Sequence, residues 1–201
     1  MLEITATILG LIQGILVMAD KRCNWIFYSL QMLFLVAFRQ ICIFGAMWPS
    51  TVFIYFFVGI AGFILWGKGE AMFSVSKYGW KTGIVWIIVS ILAVIVAYAV
   101  LRNTDNPLPF LDSVTSVTGI VATWFMFRHK LEAWIVWFLN DVAYIAEYIS
   151  LPDKAFGLIS LYILWTVLAV FSYINWKRIL LCQTCSHVSN VAGDKEYKLP
   201  Q

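Results

Sequence analysis

The stretch Gly119-IVATWFMFRHKLEA-Trp134-IV-Trp137-FL-Asn140 has a counterpart 109 residues earlier in the chain, Gly10-LIQGILVMADKRCN-Trp25-IF-Tyr28-SL-Gln31. At this offset four pairs of positions match: Gly10 with Gly119, Trp25 with Trp134, Tyr28 with Trp137, and Gln31 with Asn140. A basic loop also recurs between the first glycine and the first tryptophan of each copy. Self-similarity at a fixed offset is typical of proteins built from repeated structural units.

The composition places these repeats in a membrane. Of the 201 residues, 62% are hydrophobic and 12% charged, and the mean hydropathy is +0.84, whereas about a quarter of a soluble domain is charged. Seven apolar runs come near the roughly 20 residues that cross about 30 Å of hydrocarbon. We place them at Ile4–Met18, Trp25–Phe44, Met47–Trp66, Thr82–Leu101, Phe110–Phe127, Ala133–Ile149 and Ala155–Trp176. Because lipid offers the backbone no hydrogen-bond partner, such continuous runs predict helices.

The repeat and the seven runs together predict the fold class. It is an all-α integral membrane protein with seven transmembrane helices, in which two parallel three-helix repeats are joined by a connector helix. We assign 1–66 to the first repeat, 67–108 to a loop plus the connector helix, 109–178 to the second repeat and 179–201 to a cytoplasmic tail, which we expect to be flexible from Cys182. In folds with parallel repeats the substrate site lies near the midplane, between the repeats.

Basic residues predict the orientation. The first, third and fifth loops and the C-terminal segment carry eleven of the fourteen lysines and arginines, and only Arg39, Arg102 and Lys154 lie on the other side. By the positive-inside rule the N-terminus is outside and the C-terminus is in the cytoplasm. The net charge of +3 is scattered rather than clustered, so no nucleic-acid partner is expected.

The matched stripes are the candidate binding site. Trp134, Trp137 and Asn140 or Asp141 are three or four residues apart, which places them on one helical face. Trp25, Tyr28 and Gln31 occupy the matching positions. Two such faces would enclose a slot in which a flat ring stacks, and a cationic ring would gain roughly 0.5–2 kcal/mol from each aromatic face. The alternative for Trp25 and Trp134 is an aromatic belt at headgroup depth.

Two carboxylates lie within the sixth run. A charge at the bilayer centre costs at least about 2.5–3.5 kcal/mol, so Asp141 predicts a residue on the substrate path. The alternative is a helix-packing hydrogen bond. Glu147, two turns later, could neutralise a cation, bond to a neighbouring helix, or be solvated near the outer end.

The sequence contains no constellation typical of an enzyme. It has no paired His/carboxylate spacing, no glycine-rich phosphate loop and no Ser-His-Asp arrangement, so we expect neither catalysis nor a cofactor. Cys182 and Cys185, followed by His187, form a single CxxC pair, which alone is weak evidence for a metal.

Several stretches resemble one known family. They are Leu108-Pro-Phe-Leu-Asp-Ser, Thr123-Trp, and the run from Arg128 to Asp141. These resemble the PnuC family of bacterial vitamin transporters, whose WxxWxxN(D/N) signature is matched by Trp134, Trp137, Asn140 and Asp141. The resemblance extends from about residue 5 to Arg178.

The resemblance implies a seven-helix fold related to, but rearranged from, the sugar-transporting SWEET proteins. It implies facilitated diffusion of an unphosphorylated vitamin, commonly nicotinamide riboside, across the bacterial inner membrane. A cytoplasmic kinase then traps the product without needing to contact the transporter.

The particular substrate stays open. Nicotinamide riboside transporters are expected to have Asn at the position of Asp141, and amides in the third helix where Phe53 and Gly59 fall here. Related members carry thiamine or riboflavin, and thiamine is cationic like nicotinamide riboside. A hypothesis from another class is a membrane sensor subunit that binds such a ligand without moving it. A homo-oligomer is left open as well.

Overall fold

The structure, a computed structural model, describes residues 2–18, 23–38, 50–65, 74–151 and 156–196. These residues form seven α-helices and the segments between them. In chain order they are α1 (Leu2–Met18), α2 (Asn24–Phe38), α3 (Ser50–Leu65), α4 (Trp80–Leu101), α5 (Pro109–Phe127), α6 (Ala133–Ser150) and α7 (Phe156–Glu196). The predicted all-helical class is therefore confirmed, and each helix coincides with one predicted apolar run.

Three of these helices contain segments long and apolar enough to cross a membrane, judged by length and composition. They are Trp80–Leu101, Pro109–Phe127 and Phe156–Cys185, and Ile4–Val17 is a shorter apolar helix. Among its described residues α4 buries only Leu101, and most of its other side chains are exposed, as expected of a helix that faces lipid.

The helices pack in the same order in both halves of the chain. In the first half α2 packs against both α1 and α3, and in the second half α6 packs against both α5 and α7. Contacts between α1 and α7 join the two halves, while α4 packs on α5. The two helices that carry the predicted stripes are thus the central helices of their halves.

The segment before α4 pairs with the loop between α5 and α6. The Ser76 N–H donates to the His129 carbonyl (3.0 Å), and the Leu131 N–H donates to the Ser76 carbonyl (2.9 Å). The Tyr78 N–H donates to Glu132 Oε1 at 3.0 Å. The third and fifth loops, both predicted to be on the basic side, therefore lie at the same end of the bundle. The prediction of orientation also used six basic residues that lie outside the described residues: Lys21, Arg22, Arg39, Lys68, Lys154 and Lys198.

A hydrogen-bonded cap ends α5 at this pairing. His129 has φ 50°, the left-handed conformation that commonly follows a helix. Its N–H donates to the Met126 carbonyl, and the Lys130 N–H donates to the Phe125 carbonyl, both at 2.9 Å. This pair of bonds is a Schellman motif, and it turns the chain sharply enough for α6 to begin at Ala133 and return along α5.

The last helix is longer than predicted. We expected it to end near Trp176 and the chain to be flexible from Cys182, but α7 continues to Glu196. The helix therefore extends through most of the segment that we assigned to the tail. No proline or glycine falls between Trp176 and Gly193, so nothing in the backbone breaks the helix when the sequence becomes polar.

Two glycines bring α3 close to α2. A Cβ at Gly62 would overlap the indole of Trp25, and a Cβ at Gly59 would overlap Ser29 Oγ. The Gly59 contact also explains why no amide side chain stands there, since any side chain would collide with Ser29. The side chain of Phe53, the other departure in α3, lies outside the described residues.

We predict that Gly62→Ala destabilises the protein. The added methyl must displace a rigid indole, and overpacking of this kind typically costs about 1–3 kcal/mol. The measurement is thermal unfolding of the purified protein in detergent. Gly83→Ala is the matched control, because a Cβ at Gly83 meets nothing within 4 Å and alanine is the better helix former. An unfolding temperature for Gly62→Ala as high as that of Gly83→Ala would contradict the close approach.

Candidate functional site

Two adjoining cavities lie among the helices of the two halves. The first cavity, of about 40 Å³, is lined by residues of α1, α2, α5, α6 and α7, including Trp25, Tyr28, Trp134, Trp137 and Asp141. The second cavity, of about 20 Å³, is lined by Tyr28, Gln31, Trp137 and Asn140 among others. All seven predicted site residues therefore line one cavity or both, but the structure has two chambers where we expected one slot.

A layer of aromatic side chains separates the chambers. Tyr28, Trp137 and Trp165 line both cavities, and the rings of Trp137 and Trp165 meet edge to face with centroids 6.5 Å apart. One water needs about 10–15 Å³, so each chamber accepts only one or a few waters. A vitamin-sized ligand would require these rings to separate, and the structure is therefore a closed form of the site.

The two tryptophans that begin α2 and α6 are buried. Trp25 is 2% exposed and Trp134 is 6% exposed, whereas Trp124, on the outer side of α5, is 43% exposed. Trp25 stacks on Phe127 with centroids 4.7 Å apart, and Trp134 meets Trp176 edge to face at 5.3 Å. The alternative of a lipid-facing aromatic belt is therefore wrong for Trp25 and Trp134.

Asn140 is fixed by hydrogen bonds to α5. Its Nδ2 donates to the Thr115 carbonyl at 2.7 Å and to Thr118 Oγ1 at 2.8 Å. Thr118 in turn donates to the Val114 carbonyl, so its oxygen is free to accept. Both Asn140 Nδ2 hydrogens are thereby used, and Oδ1 has no hydrogen-bond partner among the described residues. That oxygen is the atom of Asn140 left to accept a bond from a ligand.

The Asp141 carboxylate lies beside the first cavity. Asp141 is 1% exposed, and its Oδ1 makes no hydrogen bond within the described part of the chain. Among the described residues, the lining of the first cavity contains no lysine or arginine. A buried carboxylate without a counter-charge is costly, and a cationic ligand would supply the missing partner.

Glu147, in contrast, has a protein partner. It is fully buried, and its Oε2 lies at hydrogen-bond distance, 3.2 Å, from Thr115 Oγ1, whose single hydrogen also has the Leu111 carbonyl within reach at 3.1 Å. The solvated alternative for Glu147 is therefore wrong, and the polar contact with a neighbouring helix is what the structure shows. Thr115 contacts both Glu147, through its hydroxyl, and Asn140, through its carbonyl.

Other polar groups of the cavities were not identified from the sequence. Gln13, Asn24, Thr123, Trp165 and Ser172 line the first cavity. Several polar atoms of the cavity residues are buried without a hydrogen-bond partner among the described residues. They are Gln13 Oε1, Gln31 Oε1, Ser172 Oγ and the indole N–H groups of Trp134, Trp137 and Trp165. Buried polar atoms are normally paired, so this mixture of donors and acceptors suits a polar ligand. The available signal was the isolated polar residue in an apolar run, such as Gln13 in α1.

The described residues include no group of three or more His, Cys, Asp or Glu side chains that could hold a metal ion. Cys182 and Cys185 are free and exposed on α7.

The chain is similar to proteins of known class. A family model described as nicotinamide mononucleotide transporter matches residues 1–178. The nicotinamide riboside transporter PnuC of Neisseria mucosa is 24% identical over 188 residues, which cover 87% of this chain and 71% of that protein. The crystal structure of the vitamin B3 transporter PnuC has the same fold, with a TM-score of 0.73 at 21% identity over 89% of this chain and 81% of that one.

We predict that Asn140→Asp destabilises the bundle. A carboxylate cannot donate to the Thr115 carbonyl, and leaving buried groups unpaired costs about 1–3 kcal/mol, more when one is charged. Thermal unfolding in detergent measures the loss. Asn103→Asp is the matched control, because Asn103 Nδ2 also donates to a backbone carbonyl, that of Ala99, but at an exposed position. Equal unfolding temperatures for the two variants would mean that the buried bonds do not hold α6.

Proposed function

The chain belongs to the PnuC family of transporters, and from this premise we propose that it carries nicotinamide riboside across the membrane. The curated relative, a nicotinamide riboside transporter, favours this vitamin, and one observation of the structure supports a flat, cationic substrate. The Asp141 carboxylate, without a hydrogen-bond partner among the described residues for Oδ1, shares a cavity lining with Trp134 and Trp137. A flat pyridinium ring can stack on an indole while the carboxylate balances its positive charge.

The same observation favours the nucleoside over its phosphorylated form. A phosphate group would bring negative charge beside Asp141, and it needs cationic or multiple N–H partners. In the part of the chain that the structure describes, the residues lining the two cavities include no lysine or arginine. We therefore infer that the mononucleotide is a poor substrate for this chain.

The second cavity suits the ribose. Gln31 and Asn140 line it, and their side-chain oxygens have no hydrogen-bond partner among the described residues. Ribose hydroxyls can donate to such oxygens. Since Tyr28 and Trp137 line both chambers, a ligand could place its ring in one and its sugar in the other once the aromatic layer opens.

We propose that two parallel three-helix repeats, 1–66 and 109–178, form the SWEET-related architecture that opens this layer. The equivalent packing of α2 and α6, each central in its half, supports the repeat. The peripheral position of α4 supports 67–108 as loop plus connector. In such folds one repeat rocks against the other around a fixed site.

We further propose facilitated diffusion across a bacterial inner membrane, with the N-terminus outside and 179–201 in the cytoplasm. The pairing of the basic third and fifth loops at one end supports this orientation through the positive-inside rule. Net uptake then depends on a cytoplasmic kinase that phosphorylates the product, so that the product no longer fits the site.

Flux measurements test the transport proposal. We expect liposomes containing only this protein to equilibrate labelled nicotinamide riboside saturably, without an ion gradient. Nicotinamide mononucleotide should compete poorly. Tight binding without flux would contradict the transport proposal and would indicate a sensor subunit instead. Stronger competition by thiamine than by nicotinamide riboside would assign thiamine as the substrate within the same family.

Two variants test the site. We predict that Asp141→Asn weakens nicotinamide riboside binding roughly 10–100-fold, because hydrogen bonds to charged groups contribute about 1.5–3 kcal/mol. Trp137→Ala should weaken it as well, through loss of a stacking face. Trp124→Ala is the matched control, since Trp124 lines neither cavity and is exposed. Calorimetric titration of purified protein gives the affinities. Wild-type affinity in both Asp141→Asn and Trp137→Ala would reject the site.

A further inference from the structure

A lateral groove lies between α4 and the pair α5–α6, apart from the two cavities. Its volume is about 340 Å³, several times that of either chamber. Gly83, Trp86 and Ser90 line it from α4, Val121 and Phe125 from α5, and Leu139 from α6. The lining is almost entirely apolar, as expected for a groove occupied by hydrocarbon.

The groove fits within the depth of one leaflet. It extends from Tyr78 and Glu132, at the loop end of the bundle, to Ile91, Thr118 and Leu139. At a rise of 1.5 Å per residue, the stretch from Glu132 to Leu139 is about 10 Å long, and half of a hydrocarbon core is roughly 15 Å. Trp80, at the start of α4, is 74% exposed, and an exposed tryptophan at a helix end typically lies at headgroup depth.

Three lysines lie at the loop end of the bundle, near the residues where the groove begins. Lys77 and Lys81, on either side of the start of α4, are exposed. The Lys130 ammonium lies 4.7 Å from the centroid of the Tyr78 ring and donates to Ser76 Oγ. Of the described residues that line this end of the groove, Glu132 is the one with a carboxylate, and its Oε1 accepts the Tyr78 N–H. Positive charge therefore exceeds negative charge among the described residues here.

We propose that this groove binds one acyl chain of an anionic phospholipid from the leaflet at the basic-loop end. The phosphate lies at the three lysines of the loop end, and the chain extends along Trp86, Val121 and Phe125 toward the bilayer midplane. Lipid fits the groove better than a second copy of the chain does. The exposed helix α4 carries no acidic residue over Trp80–Leu101. A second copy that docked through its own α4 would therefore bring no carboxylate to the lysines.

The bound chain would also support the transport site. Thr118 lines the groove and accepts the hydrogen bond from Asn140 Nδ2. An acyl chain packed against this face of α5 therefore stabilises the helix that holds Asn140. Lipid binding itself does not depend on which substrate is carried.

Lipid titration of the purified protein tests the proposal. We expect phosphatidylglycerol to raise the unfolding temperature of the wild type more than phosphatidylcholine does. Gly83→Phe fills the groove and should abolish this difference, whereas Gly83→Ala should keep it. A Cβ at Gly83 meets nothing within 4 Å, and each variant is compared with its own lipid-free unfolding temperature.

A charge variant gives an independent readout that does not depend on filling the groove. The double variant Lys77→Gln, Lys81→Gln should weaken the apparent affinity for phosphatidylglycerol roughly 30-fold. Each lysine near an anionic surface contributes about a factor of five to that affinity. Native mass spectrometry counts the bound lipids and the copies of the chain. Three results would each overturn the proposal. The two lipids could raise the unfolding temperature of the wild type equally, Gly83→Phe could keep the full difference between the lipids, or an oligomer could dissociate in Gly83→Phe.

Discussion

The hydrogen bonds from Asn140 Nδ2 to the Thr115 carbonyl and Thr118 Oγ1 fix how α6 lies against α5. In an apolar interior an amide left unpaired is costly, so these bonds specify the rotation of α6 about its axis. Trp137 and Asp141 follow from that rotation, since both lie within one turn of Asn140 on the same helix. The polar contact of Glu147 with Thr115 extends the interface by two turns.

The first half of the chain reaches a similar arrangement by different chemistry. There α2 lies against α3 because Gly62 leaves room for the Trp25 indole and Gly59 leaves room for Ser29. A Cβ at Gly10 of α1 would lie 2.7 Å from Gln31 Nε2, so the matched glycine permits the amide of the first stripe. The first half combines close backbone approach with a hydrogen bond from Ser29 Oγ to the Phe56 carbonyl of α3 at 3.3 Å, whereas in the second half the bonds of Asn140 join α6 to α5. Both are known ways of packing helices where lipid removes the hydrophobic driving force.

These contacts explain why a closed site can remain polar. The side chains of Asp141, Gln31 and Gln13 are buried, each with an oxygen that makes no hydrogen bond among the described residues. Such atoms raise the free energy of the closed form, and a ligand that pairs with them lowers it. The aromatic layer of Tyr28, Trp137 and Trp165 between the chambers is then the part that must move for a ligand to enter.

The sequence by itself determined the seven helices, the matched stripes on α2 and α6, and seven of the residues that line the cavities. Hydropathy over about 20 residues and spacing along one helix are local properties, so they can be read without neighbours. Only the tertiary structure decided that Trp25, Trp134 and Glu147 are buried and that Gln13 and Ser172 join the site. It also decided that two chambers replace one slot and that a groove lies beside α4. The physical reason is that helices in lipid are apolar nearly all round, so their sequence does not say which face meets another helix.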